Sequence, residues 1–100
     1  MQYLPDLFAE VGAIRLPPVD GWLREMTGRL ATGPRLVSTL DALYRNDMSR
    51  SRTAASLDIH PRTLDYRLRR VRDLTGLDPV SIRGVRVLST VVNRALAGPA

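Results

Sequence analysis

Seven of the fifteen arginines fall within residues 50–72, where only Asp58 and Asp65 oppose them. That window carries net +5, while residues 1–49 carry −1 and residues 73–100 carry +1, so the excess of the whole chain sits in one block. Guanidinium groups are planar, permanently charged donors that match phosphate oxygens and can read a guanine edge bidentately. A basic block on a nearly neutral body fits two physical roles: a surface that faces a polyanion, or a solvated face that keeps the protein dissolved. Charge alone does not choose between them. Lysine is absent, and codon bias in a GC-rich genome would also favour arginine, so the preference for arginine is weak evidence.

Other chemistries lack their residues. There is no Cys and a single His, which excludes disulfides, Cys-ligated zinc or iron–sulfur centres, and any site built on several histidines. No Gly-rich phosphate loop, nucleophile elbow or HExxH motif occurs. The expectation is therefore a non-enzyme without cofactor or metal. No apolar run reaches the ~18 residues of a membrane span, and no secretory core region is present, so neither a membrane partner nor export is expected and a cytoplasmic location follows. The 100 residues suit one compact domain.

The elements that must position the arginines read as helices throughout, with no strand-like alternation. Leu4, Leu7, Phe8, Val11 and Ile14 recur at helical spacing. Arg15–Val19, with Pro17 and Pro18, reads as a break and an extended connector, and Asp20 as the cap of the next helix. Trp22, Leu23, Met26 and Leu30 form that helix's stripe, which Thr32-Gly33-Pro34 ends. Leu36, Val37, Leu40, Leu43 and Tyr44 predict a helix over about 35–46. Ser49 caps a short helix to Leu57. Pro61 opens a longer one with Leu64, Leu68, Val71 and Leu74 inward, stopped by Gly76. Asp78-Pro79 reads as another cap-plus-proline start, with Val85, Leu88, Val91 or Val92, and Leu96 inward on the last helix. Gly98-Pro99-Ala100 is expected to fray. The fold class is all-α: a small bundle of five to six helices.

Residues 49–75 have the arithmetic of a helix-turn-helix. Ala55 is expected at the close helix crossing, Asp58 at a turn position that tolerates positive φ, and Ile59 in the seam. With Leu64, Leu68 and Val71 inward, Arg62, Thr63, Tyr66, Arg69, Arg70 and Asp73 face outward or flank that face. His60, Pro61 and Thr63 lie at the helix start, where recognition helices meet base edges, and His60 either caps the helix or touches the duplex. Arg50 and Arg52 on the first helix lie beside the groove. On this reading Arg50, Arg52, Arg67 and Arg70 hold phosphates, and Arg62, Thr63 and Tyr66 approach bases. Arg67 has an internal alternative, pairing with Asp41 or Asp47. The Arg69-Arg70 pair has a bland one, a solvated face.

The run from Thr53 to Pro79 resembles the C-terminal helix-turn-helix of PucR-type bacterial regulators, which include purine-catabolism and sugar-diacid regulators. The matching positions are Ala54-Ala55, Leu57, Ile59-His60, Thr63-Leu64, Tyr66-Arg67-Leu68 and Leu74-Thr75-Gly76. Thr39-Leu40 to Tyr44 fits the helix that precedes the motif. The likeness covers about residues 36–97 and extends to the DNA-binding end of the Fis nucleoid protein. It implies a helix-turn-helix DNA-binding domain over 35–97, preceded by a helical linker or extension over 1–34. It also implies double-stranded DNA as partner and a longer parent protein whose N-terminal sensory region is missing; one such module covers only a small interface, so a homodimer or tandem sites are expected for specificity. Two positions depart from the family pattern. Arg62 stands where Asn is common, and Asp65 where Arg is common. Asp65 could cost phosphate affinity, accept from a cytosine, or pair with Arg62 or Arg69 at helical spacing. It keeps a second reading open: a helical oligomerisation or protein-interaction module with weak or lost DNA binding, using helices 4–14 and 81–96.

Overall fold

A computed structural model describes residues 17–33 and 35–97. Five helices follow one another: α1 (Pro17–Ala31), α2 (Leu36–Arg45), α3 (Arg50–Leu57), α4 (Pro61–Thr75) and α5 (Ile82–Ala97). The described residues contain no strand, so the all-α class holds. The expected helix over 4–14 and the fraying tail lie outside the described residues.

One core joins all five helices. Val19, Leu23, Met26 and Leu30 enter it from α1, and Leu36, Leu40 and Leu43 from α2. Ala54 comes from α3, Leu64, Leu68 and Val71 from α4, and Val87, Leu88, Val91 and Val92 from α5. Nearly all of these sit at i, i+3, i+4 and i+7 spacing, the stripe a helix must bury. α2 is the hub, packing on α1, α3, α4 and α5, while α1 also lies directly on α4 and α5. The contact between the first and last helices is closed by Arg94, whose Nη1 donates to Asp20 Oδ1 at 2.5 Å with both side chains mostly shielded.

The ends of the helices show which local rules won. Pro17 and Pro18 do not form an extended connector; they lie in the first turn of α1, where missing N–H groups cost nothing. Asp20 is consequently inside that turn, at the positive end of the helix dipole, and not its cap. At the other end of the chain, Asp78-Pro79 does not start α5. Asp78 Oδ1 accepts from Val80 N at 3.1 Å to make a turn, and Ser81 Oγ then accepts from Gly84 N at 2.9 Å as the cap. Inward positions on α5 shift accordingly: Val87 joins Leu88, Val91 and Val92 in the core, Val85 is half-buried, and Leu96 is exposed.

Tyr44 ties α2 to the turn before α5 by donating from its hydroxyl to the Pro79 carbonyl at 3.1 Å. Burial, with the negative charge of Asp78 added to it, pushes the phenol well above the usual tyrosine range. It therefore stays a protonated donor.

Candidate nucleic-acid interface

The segment that holds the arginines is built from short-range rules. Ser49 Oγ accepts from Arg52 N at 3.3 Å and starts α3. α3 ends when Asp58 takes the left-handed conformation (φ 54, ψ 47). Asp58 N then donates to the Ala55 carbonyl at 3.1 Å and Ile59 N to the Ala54 carbonyl at 3.0 Å, the paired closure that satisfies the last carbonyls of a helix. This reverses the chain in three residues and lays Ile59 against the core. Ala54, not Ala55, is the small residue at the crossing: Ala54 is buried and Ala55 exposed, because the register of α3 turns Thr53 and Ala54 inward.

Left-handed backbone is costly for a residue with a Cβ, and aspartate tolerates it better than most. Asp58→Gly is accordingly expected to raise the unfolding free energy by about 0.5–1 kcal/mol. Urea denaturation of the two chains checks this; an unchanged or lower midpoint would contradict it.

α4 then begins on Pro61, with His60 as its cap. His60 Nδ1 accepts from Arg62 N at 3.0 Å. An accepting Nδ1 leaves the ring proton on Nε2, so the imidazole offers a donor at the end of the helix where unpaired backbone N–H groups already attract anions. Gly76, with φ 74, stops α4 by donating from its N–H to the Arg72 carbonyl at 2.8 Å.

Around α4 the side chains sort into four strips. Leu64, Leu68 and Val71 are buried. Opposite them, Arg62, Tyr66, Arg69 and Asp73 form an exposed line at i, i+4, i+7 and i+11, in which Tyr66 is 54% exposed. No hydrogen bond or ion pair engages the Arg62, Arg69, Arg70 or Arg72 guanidinium among the described residues. Thr63, Arg67 and Arg70 lie half-buried along one flank, and Asp65 is half-buried on the other.

Two arginines are held more tightly than their expected phosphate role suggests. Arg67 turns inward: its Nη1 donates to Thr39 Oγ1 at 3.1 Å, and the fully buried Thr39 hydroxyl donates on to the Arg35 carbonyl at 2.6 Å. Asp41 and Asp47 are not its partners; Asp41 pairs with Arg45 at 3.0 Å. Arg50, at the first position of α3, forms an ion pair with Asp65 across the motif. Asp65 thus pairs with neither Arg62 nor Arg69. Arg52 is exposed and its Nη2 donates to the Asn46 carbonyl at 3.2 Å. Pro61 and Arg62 are exposed beside the His60 cap. His60, Pro61, Arg62 and Tyr66 are thus all accessible, with Arg62 and Tyr66 on the exposed line of α4. That line adds Arg69, which the outward register already indicated but which had no assigned role.

The family is decided by the match of residues 36–92 to the PucR C-terminal helix-turn-helix domain. The chain belongs to the PucR C-terminal helix-turn-helix family. That match spans α2, α3, α4 and most of α5, so the PucR-type unit includes the hub helix as well as the motif. The class is one of DNA-binding, transcription-regulating domains. The chain is similar to the transcriptional activator PmfR of Paenarthrobacter nicotinovorans, 43% identical over 63 residues, covering 59% of this chain and 13% of PmfR. It is likewise 43% identical over 56 residues to the uncharacterized protein Rv2242 of Mycobacterium tuberculosis and to Mb2266 of Mycobacterium bovis, covering 56% of this chain and 14% of each. The chain therefore spans about one seventh of the length of these curated relatives. No solved structure matches it. Among the described residues no group of three metal-ligating side chains occurs, and no helix is long and apolar enough to cross a membrane.

Proposed function

We propose that this chain binds duplex DNA in a sequence-selective manner, with α4 lying in the major groove, as the C-terminal domain of a longer bacterial transcription regulator. The observation that carries the reading is the exposed line of Arg62, Tyr66 and Arg69, whose two guanidinium groups have no internal partner among the described residues. Arg62 and Tyr66, with Thr63, approach base edges near the start of α4. His60 and Pro61 lie beside them and present the helix terminus. Arg52 and Arg70 contact phosphates, and Arg50 and Arg67 join them where their present partners release them. A single module of this size covers a small interface, so a homodimer or tandem sites supply the remaining specificity. The location is the cytoplasm, and a sensory region belongs to the N-terminal part of the parent protein. The name of PmfR supports activation of transcription as the output.

Titration of the chain with duplex DNA across 50–200 mM salt tests this. Counterion release gives a log–log slope of roughly −0.9 per phosphate contacted, so about −2 is expected for Arg52 and Arg70 alone and about −3.6 if all four arginines engage. A slope near zero, or no saturable binding below about 1 mM, overturns the reading. A second reading, a helical interaction module, draws on Ile82, 82% exposed at the start of α5, and Val80, 49% exposed in the turn before it. Self-association measured by sedimentation without any response to DNA would favour it.

A further inference from the structure

The ion pair between Arg50 and Asp65 is the one ion pair made by an arginine of the 50–72 block among the described residues. It joins the first position of α3, the helix that crosses the sugar–phosphate backbone in a helix-turn-helix, to one flank of α4. We propose that Asp65 acts as an internal stand-in for a DNA phosphate, occupying the Arg50 guanidinium in the free protein and thereby lowering affinity for any duplex regardless of sequence. Asp65 then sets overall affinity for duplex, acting through Arg50 and reading no base. The inference rests on the DNA-binding reading above.

Three observations carry it. A carboxylate and a phosphate present equivalent acceptor oxygens to a guanidinium, so one competes directly with the other. The pair is at the surface, with the Arg50 side chain 58% and the Asp65 side chain 39% exposed, so it is weak enough for DNA to displace. Finally, the exposed line of Arg62, Tyr66 and Arg69 lies one strip away and is not engaged by Asp65. Neutralising Arg50 removes a sequence-independent contact while leaving the base-facing side chains untouched. The ratio of affinities for a preferred site and for bulk DNA is unchanged as a result, because the shared electrostatic part of the affinity falls equally for both.

The test is a cycle of four chains: parent, Asp65→Asn, Arg50→Ala and the double variant. Each is titrated with its preferred duplex and with a scrambled one at several salt concentrations. Asp65→Asn keeps the side-chain shape and removes the charge. It is expected to tighten binding to both duplexes by a similar factor, roughly two- to tenfold at low salt, and to steepen the salt slope by about 0.9. In the Arg50→Ala background the same change is expected to fall below about twofold. An equal gain with Arg50 absent overturns the inference, because Asp65 would then merely repel the duplex. A change in which duplex is preferred also overturns it, because Asp65 would then read a base. Loss of binding by all four chains, each still melting cooperatively, overturns the DNA reading and this inference with it.

Discussion

Gly84→Ala is expected to destabilise the protein by roughly 3 kcal/mol, lowering the melting temperature by about 12–20 °C. Gly84 is buried in the first turn of α5, and a methyl group there would overlap the Asp78 carbonyl oxygen. That oxygen is backbone, so no side-chain rotation relieves the clash. It also accepts from Ser81 N at 3.2 Å and from Ser81 Oγ at 2.8 Å, so displacing it disturbs the turn that caps α5. The capping hydroxyl adds about 1 kcal/mol to what is at stake. Gly28→Ala is the control. Gly28 lies exposed inside α1 with open space around its Cα, and alanine there is expected to stabilise by about 0.5–1 kcal/mol. Thermal unfolding of both variants decides the matter. A Gly84→Ala chain melting within a few degrees of the parent would show that the α5 start is far more yielding than its packing indicates.

Arg62→Ala is expected to cost about 1–3 kcal/mol at the preferred duplex, a five- to 150-fold loss, and much less at a scrambled one. Arg62 is exposed at the second position of α4, and its guanidinium has no partner among the described residues. Its removal leaves a helix whose cap uses the Arg62 backbone N–H and is therefore kept. Stability should change by no more than about 0.5 kcal/mol, so any loss of affinity is not a folding effect. Competition binding with the two duplexes, alongside a melting curve, checks both halves. Equal losses at both duplexes would place Arg62 on the backbone and not on a base.

The motif was legible because its signals are local. Ser49 as cap, Asp58 in the left-handed turn, Pro61 at a first helical position and Gly76 as a stop each depend on residues within one or two turns. The core followed from periodicity wherever a helix is long. What stayed hidden depends on distant partners or on two local rules in competition. Arg50 and Asp65 are 15 residues apart, so spacing along α4 could suggest only the wrong partners for Asp65, and Arg67 and Thr39 are 28 apart, so charge alone pointed Arg67 at the acids Asp41 and Asp47 and not at a hydroxyl. Pro17-Pro18 fits a break and a helix start equally well; packing of Val19 and Leu23 into the core selected the helix. Asp78-Pro79 carries the chemistry of a cap, but the tight approach at Gly84 leaves that work to Ser81. Ala54 and Ala55 differ only by register, which a helix of eight residues fixes poorly on its own.

The clasp between Asp20 and Arg94 bridges 74 positions of chain and fastens α1 to α5, while α1 also rests on α4. A helix that packs on both α4 and α5 couples any shift in its own position to the arginine-bearing helix. Mechanically, α1 is a lever arm whose fulcrum is the bundle itself.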